Sequence, residues 1–226
     1  MDGYKHLIVV FALFLSACRF SYQEEYSMDR PAPVNLKLAK YAESILRKKM
    51  EEVRFPLSEE DKQIIQNMKY SIQKEQLKAA GAPWDSAAGM AANQWGIDKR
   101  IFIYCPTGAS EKELEVVINP HYTPIFDLPS QNAAVDDEWE GCFSIPLATG
   151  KVKRYTHIQV IYQNQKGETI KKELKGWYAR VFQHETDHLD GTLYDSKCSE
   201  LHRFNSREEV DEFYAKIRAQ REKKSS

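Results

Sequence analysis

Two histidines, His184 and His188, constrain this chain more than any other feature of its sequence. They lie within residues 183–191, which read QHETDHLDG. Residues four positions apart lie on one face of an α-helix, so both imidazoles can reach a single metal ion. Glu185, beside the first histidine, is placed to act as an acid or base on a water held at that ion. The spacing therefore predicts a helix that carries a metal site.

Two imidazoles leave a tetrahedral metal incomplete, so a third protein ligand and an open position are expected. The upstream candidate is Cys142, within the segment EGCFS at residues 140–144, because a thiolate binds Zn²⁺ or Fe²⁺ well. Zinc proteases with a His-Glu-x-x-His motif take their third ligand downstream, and His202 lies downstream without the required spacing. A closed structural site with a fourth protein ligand is disfavoured, because Glu185 has no use in one.

A third segment, residues 87–94, reads AAGMAANQ and precedes the other two. A glycine-containing segment ending in Gln, then EGC-x-S, then His-Glu-x-Asp-His, in this order, resembles the peptide deformylase family. The resemblance extends over about residues 42–195. It implies an α+β fold in which antiparallel β-sheets pack around a central metal-binding helix, with the catalytic domain at residues 36–205.

The resemblance also implies a reaction, namely metal-dependent hydrolysis of the N-formyl group of an N-terminal formylmethionine, with release of formate. Glu185 would transfer the proton, while the Gln94 amide and the Phe143 backbone N–H would stabilise the oxyanion. Asp187 is expected to orient or pack rather than bind metal. The expected metal is one divalent ion, Fe²⁺ or Zn²⁺, with Ni²⁺ or Co²⁺ as substitutes. The ligands implied are Cys142, His184 and His188, and the substrate-binding residues implied are Gly89, Met90, Phe143 and Glu140.

The chain departs from the family pattern at four positions. Ala87 stands where the family usually has Gly, and Trp95 where it usually has Ile. Phe143 replaces Leu, which reshapes the expected entrance of the substrate pocket without changing the backbone N–H. Thr149 aligns with a position that is often Arg in bacterial members, so the distal peptide backbone would be held differently.

Two other functions compete with deformylation. The departures from the family pattern at Ala87, Phe143 and Thr149, together with the N-terminal sequence, favour one alternative. It is a catalytically silent lipoprotein that uses the same fold to bind formyl peptides or a partner. A zinc endopeptidase is the other alternative, because a lone His-Glu-x-x-His motif also occurs in those enzymes.

Residues 1–18 stand apart from the rest of the chain. A short apolar run at residues 7–15 is followed by Ser-Ala-Cys ending at Cys18, which resembles a secretory or bacterial lipoprotein signal. Residues 19–35 are polar and contain two prolines, as a linker would. The family's activity implies a cytoplasmic protein, whereas this N-terminus implies export or membrane anchoring, and the sequence leaves both open.

The charge balance excludes one class of partner. The 226 residues include 32 Lys and Arg and 33 Asp and Glu, so no basic excess attracts specific nucleic acid. Residues 206–226 are predicted to form a final helix with a basic end. That end suits a ribosomal or anionic membrane surface, although a solvated tail is the simpler interpretation. The protein is expected to act as a monomer on an N-formylmethionyl peptide.

The remaining patterns predict individual elements. Ser58 is expected to cap a helix, with Asp61 completing a capping box. Residues 73–86 are predicted to form a loop that either shapes the substrate cleft or is a surface insertion, the second being favoured. Strands are predicted at residues 100–105 and at 114–118, the second stopping at Asn119-Pro120. Residues 157–163 and 168–174 are predicted to form a hairpin. Residues 45–47 lie where the family has an extended strand.

Overall fold

A computed structural model of the chain describes residues 31–84, 86–105, 114–127 and 132–225. The helices within these residues are α1 at Glu59–Ser71, α2 at Lys74–Ala79, α3 at Gly176–Leu189 and α4 at Arg207–Ser225. Short 3₁₀ turns occur at Ser44–Arg47, Ala92–Trp95 and Tyr194–Ser196.

The strands in the same residues follow each other mostly through short connections. They are β1 at Gly89–Ala91, β2 at Ile101–Tyr104, β3 at Glu115–Pro124, β4 at Phe126–Asp127, β5 at Asn132–Ala133, β6 at Val135–Cys142, β7 at Ile145–Tyr155, β8 at His157–Gln163, β9 at Thr169–Lys175 and β10 at Glu200–Arg203.

Every pair of neighbouring strands in the described ranges runs antiparallel. One sheet has the order β1-β2-β3-β8-β9, a second has the order β10-β7-β6, and β4 pairs with β5. The strand β1 therefore ends the larger sheet, and β6 ends the three-stranded one. Sheets of this kind combined with a few helices confirm the predicted α+β class.

Helix α3 contacts both sheets through different faces. Its apolar face packs on the five-stranded sheet, where the fully buried Phe182 ring lies 5.0 Å from Phe102 and 6.1 Å from both Tyr104 and Tyr162, between centroids. Its polar residues reach strands of the three-stranded sheet through ion pairs. The helix that carries the two histidines therefore lies at the centre of the domain, as predicted.

Several predicted elements are confirmed. Strands β8 and β9 form the expected hairpin, with Asn164 accepting backbone N–H bonds through its side chain in the turn. Ser58 caps α1 and exchanges hydrogen bonds with Asp61, as a capping box requires. Helix α4 begins one residue after Ser206.

Three local predictions were wrong. The loop at 73–86 contains α2, and the segment 45–47 forms a 3₁₀ turn instead of a strand. Strand β3 does not stop at Pro120 but continues through a bulge, where Asn119 adopts φ 51° and its side chain hydrogen-bonds Val53. An Asn tolerates this left-handed backbone better than most residues, so the strand absorbs the break.

The predicted signal segment, and the linker as far as residue 30, lie outside the described residues. Residues 34 and 36 are already docked on α1, because Val34 N–H donates to Asn67 and Leu36 N–H to Ser71. Within the described part of the chain, none of the helices combines the length and apolar character needed to span a bilayer. The domain boundaries otherwise stay predictions.

Candidate metal centre and substrate cleft

The structure brings the three predicted ligands together. Ligand atoms of Cys142, His184 and His188 all lie within 4.8 Å of one another, and the Cys142 sulfur is 3.2 Å from His188 Nε2. Both histidines come from α3, whereas the cysteine is the last residue of β6, before the tight turn to β7. Cys142 and His188 are buried, and the set of one sulfur and two imidazole nitrogens suits a catalytic metal with an open position.

A buried carboxylate orients the first histidine. Glu140 lies two residues before the cysteine on β6, and one of its oxygens is 2.9 Å from His184 Nδ1. This bond fixes the ring and leaves Nε2 for a metal, in the way that ligating histidines are usually supported. The Tyr194 ring stacks beside the same imidazole at 6.3 Å between centroids. The donor set and its support therefore fit a bound divalent ion.

Two arginines neutralise this carboxylate. Arg154 of β7 contacts Glu140 at 2.8 Å, and Arg180 of α3 contacts it at 2.5 Å. Burial alone would raise the pKa of Glu140, but the bonds from Arg154 and His184 outweigh it and hold that pKa well below its usual range. Arg154 also binds Asp187, and Lys197 contacts the same carboxylate. Asp187 thus packs within an ion network rather than among the ligands, as expected.

The predicted acid–base residue lies beside the ligands and inside the cleft. Glu185 is buried, and its Oε2 has no hydrogen-bond partner among the described residues. Burial raises its pKa to about 7, with His184 opposing the rise and Glu140 adding to it. A Cβ on Gly89 would lie 3.0 Å from Glu185 Cγ and Oε1, so the glycine makes room for this carboxylate. Gly89 thereby lines the site through its backbone.

Gln94 presents a hydrogen-bond donor to the same site. Its Oε1 accepts the Ala91 backbone N–H at 2.9 Å, which fixes the orientation of the amide. The opposite end, Nε2, then points at Cys142 Sγ, 3.6 Å away, and at Ser144 Oγ, 3.4 Å away. An amide N–H aimed at the ligand sulfur is placed to donate to a substrate oxygen bound there.

The remaining predicted substrate residues fall in different places. Gly89, Phe143 and Glu140 line a cleft of about 240 Å³ that also contains His184 and Glu185. Met90, by contrast, is fully buried in the core between α1 and the larger sheet and does not line the cleft. Glu140 lines it with its carboxylate already engaged by Arg154, Arg180 and His184. Their substrate roles stay predictions.

The cleft also contains residues that the sequence reasoning did not assign to it. Arg180 lines the cleft, and no sequence pattern had assigned it there. Trp84, Trp177 and Tyr214 line the cleft as well. Tyr214 belongs to the predicted final helix, for which no role in the cleft was expected. Trp84 belongs to the 73–86 segment, whose cleft-shaping alternative the structure favours.

Two edge strands border the cleft. The lining residues include Gly89 on β1 and residues 139–142 on β6, and each strand is the last of its sheet. An edge strand carries backbone N–H and C=O groups that no neighbouring strand of the sheet uses. A cleft between two such edges is shaped for an extended peptide.

Comparisons with known proteins agree with this arrangement. The polypeptide deformylase family model matches residues 35–204. Peptide deformylase 1 of Streptomyces avermitilis is 40% identical over 116 residues, which cover 51% of this chain and 52% of that protein. The match thus spans about half the length of that relative.

Solved structures match over nearly their full length. Peptide deformylase from Thermotoga maritima is 31% identical with a TM-score of 0.59, covering 74% of this chain and 99% of that one. A Met-Ala-Ser-bound class I type b peptide deformylase from Acinetobacter baumannii is 28% identical with a TM-score of 0.58, covering 73% and 98%. With the motifs gathered at one site and the family model matching three quarters of the sequence, this chain belongs to the polypeptide deformylase family.

Proposed function

We propose that the protein removes the formyl group from peptides that begin with N-formylmethionine, by hydrolysis that yields formate and a free amino terminus. The observation that carries this proposal is the buried Glu185 carboxylate, whose Oε2 has no partner in the part of the chain that the structure describes. It lies beside three converging metal ligands in one cleft. Family membership supports the same reaction.

A cation bound by Cys142, His184 and His188 would lower the pKa of a water and polarise the formyl oxygen. Glu185 takes a proton from the attacking water and later delivers it to the departing amine nitrogen. Burial in the cleft raises the pKa of Glu185, which makes the carboxylate a stronger base toward the water. The C–N bond of the formamide breaks, and formate leaves.

Charge that develops on the formyl oxygen needs donors already in place. Gln94 Nε2 is held toward that position by the Ala91 bond, and the Phe143 backbone N–H in the adjoining turn is assigned the second donation. One such donor contributes about 3 kcal/mol to lowering the barrier. The peptide extends between β1 and β6, as the edge strands favour. The Met-Ala-Ser bound to the Acinetobacter baumannii enzyme supports a peptide as the class of ligand.

The native ion is proposed to be Fe²⁺ or Zn²⁺, with Ni²⁺ or Co²⁺ able to substitute. One thiolate and two imidazoles form a donor set that both Fe²⁺ and Zn²⁺ accept. Metal analysis of anaerobically purified protein distinguishes them, because the thiolate and Fe²⁺ both oxidise in air. Contact with a ribosome or an anionic membrane through the basic C-terminus, and a monomeric state, stay predictions.

The site of action is a separate proposal. The reaction on nascent chains implies the cytoplasm, whereas a processed Cys18 would place the protein at a membrane. Fractionation of cells that express the wild type and the Cys18→Ser variant tests this, because lipid anchoring predicts that only the wild type enters the membrane fraction.

The activity is tested by formate release from formyl-Met-Ala-Ser with each of Fe²⁺, Zn²⁺, Ni²⁺ and Co²⁺ loaded in turn. Glu185→Gln should lower kcat by about 10²–10⁴-fold while binding the same amount of metal, because only the proton transfer is lost. Glu173→Gln, an exposed change on β9, should retain wild-type activity. Absence of formate with all four metals, or full activity in Glu185→Gln, would contradict the proposal.

A further inference from the structure

Two segments outside the three motifs contact each other and line the cleft. One is the connection after α2, which carries Trp84, and the other is the C-terminal helix α4, which carries Arg207 and Tyr214. Both Trp84 and Tyr214 line the cleft that contains His184 and Glu185. The substrate site is therefore completed by residues far from the metal ligands in sequence.

Trp84 is held in place from two sides. Its ring meets the Phe143 ring edge-on at 5.2 Å between centroids. The Arg207 guanidinium lies 5.0 Å from the centre of the indole, and the same guanidinium donates to the Pro83 carbonyl. Such cation–π and edge-to-face contacts fix a large aromatic side chain in one orientation. Because Trp84 remains half-buried, part of its ring is presented to the cleft.

Tyr214 of α4 lines the cleft and is held there by a hydrogen bond. Its hydroxyl lies 2.6 Å from Thr149 Oγ1, and Thr149 donates to the Glu140 carbonyl at 2.8 Å. A Cβ on Gly141 would lie 3.0 Å from that hydroxyl and 3.6 Å from the Trp84 ring. Absence of a side chain at Gly141 thus lets both aromatic residues approach the backbone of β6, the edge strand beside which a peptide would extend.

Aromatic side chains line the cleft beside the charged groups of the metal centre, and among the described lining residues the one charged group outside Glu140, His184 and Glu185 is that of Arg180. Trp177, at the start of α3, is 55% exposed and also lines the cleft. The arginine among the lining residues, Arg180, is engaged by Glu140 and Asp136. A surface of this composition binds large apolar side chains better than charged or small ones.

We propose that Trp84 and Tyr214 are specificity-determining residues that favour an aromatic side chain at one of the two positions after formylmethionine. This inference rests on the proposed deformylase activity. The Trp84 ring and the Tyr214 ring form one wall against which that side chain packs. Arg207 and Thr149 are positioning residues that hold the two rings.

The test compares three substrates, formyl-Met-Ala-Ala, formyl-Met-Phe-Ala and formyl-Met-Ala-Phe, with the metal-loaded full chain. Wild type should hydrolyse at least one of the phenylalanine peptides with a kcat/KM about tenfold higher than the alanine peptide, the size of one aromatic packing contact. Trp84→Ala and Tyr214→Ala should remove most of this ratio, because kcat/KM falls more for the phenylalanine peptides than for formyl-Met-Ala-Ala. Trp84→Phe should restore most of it.

Calorimetric binding of the products Met-Phe-Ala, Met-Ala-Phe and Met-Ala-Ala gives a second readout that needs no turnover, with the same order of affinities expected. Glu212→Gln, an exposed change on α4, should leave the ratio unchanged. A purely structural role would lower kcat/KM for all three peptides equally and would overturn the inference. Equal kcat/KM values in wild type, or a ratio unaffected by Trp84→Ala, would overturn it too. Formate from none of the peptides would instead refute the proposed activity.

Discussion

At the scale of single residues, the position of the Glu185 carboxylate depends on the absence of a side chain at Gly89. Gly89→Ala would place a Cβ 3.0 Å from Glu185 Cγ and Oε1, closer than side chains normally approach. The carboxylate must then move by a few tenths of an ångström inside a buried site. We expect kcat to fall by about tenfold, because displacement of a positioned group by less than 1 Å already slows chemistry. Metal content, measured by elemental analysis, should not change.

A double mutant separates crowding from a general loss of structure. Glu185→Ala removes Cγ, the carboxylate carbon and Oε1, the three atoms that the new Cβ would touch. Gly89→Ala should therefore lower the free energy of unfolding in the wild type and almost not at all in the Glu185→Ala background, as measured by urea denaturation. Equal losses in both backgrounds would show that the glycine acts through the backbone of β1 instead.

The sequence predicted individual residues of the site unevenly. The helical spacing of His184 and His188 indicates a shared metal by itself, because periodicity fixes which side chains share a helix face. Cys142 was a candidate ligand from the chemistry of its thiolate, although no spacing rule links it to α3. Gln94 needed the family resemblance. The attachment of Glu140 to His184 was not predicted, because it depends on the register by which β6 and β7 pack against the helix.

At the scale of elements, one arginine joins β7 to β6 and α3. Arg154 is buried and contacts both Glu140 and Asp187, which are themselves largely buried. Replacing it with Met should lower the free energy of unfolding by about 3 kcal/mol, because two carboxylates lose a buried partner. Urea denaturation measures this loss. The two carboxylates keep their contacts with Arg180, His184 and Lys197. The expected loss is therefore near the lower end of the range for breaking a buried ion pair.

An exposed pair provides the matched comparison. Lys48 contacts Asp98 with 54% of its side chain exposed, so Lys48→Met should change the unfolding free energy by less than about 1 kcal/mol. Similar effects from Arg154→Met and Lys48→Met would mean that the buried network adds nothing to stability.

The N-terminus of α1 should respond to pH. Burial raises the pKa of Asp61, but the bond with Ser58 and the ion pair with Lys99 at 2.9 Å outweigh it, so the pKa is lowered from 3.8. A carboxylate whose pKa is lower in the folded protein than in the unfolded chain stabilises the fold at pH values above the unfolded pKa. That stabilisation is lost as the pH falls through the folded pKa. Asp61→Asn should therefore cost about 1 kcal/mol above about pH 5 and progressively less below about pH 4 in urea titrations. A pH-independent difference would exclude the charge as the cause.

Elements with a local signal were predicted well. Ser58 and Asp61 indicate the start of α1, and the turn at residues 164–167 indicates the hairpin, because caps and turns depend on residues that are close in sequence. The continuation of β3 past Asn119-Pro120 was missed, since the bulge is held by Asn119 bonds to Val53 and Gln163, both distant in sequence. Helix α2 was missed because it is only six residues long.

At the scale of the whole molecule, the ligands join parts of the fold that would otherwise meet only through packing and ion pairs. Cys142 ends an edge strand of the smaller sheet, whereas His184 and His188 belong to the helix packed on the larger sheet. The order of strands in a sheet cannot be predicted from the alternation of apolar residues. The arrangement of the sheets around α3 was therefore predicted only through the family resemblance. A bound ion therefore should act as a cross-link between the two sheets.

Metal removal should consequently lower stability as well as activity. A ligand present at about 1,000 times its Kd stabilises the folded state by about 4 kcal/mol, which for a chain of this size corresponds to about 10 °C in Tm. Chelation followed by scanning calorimetry should lower Tm by that amount, and restoring the ion should reverse it. His188→Ala, which lacks a ligand, should show a much smaller response to chelation, whereas His121→Ala, an exposed change on β3, should respond as the wild type does. If all three proteins responded alike, the ion would be stabilising the fold at some other place.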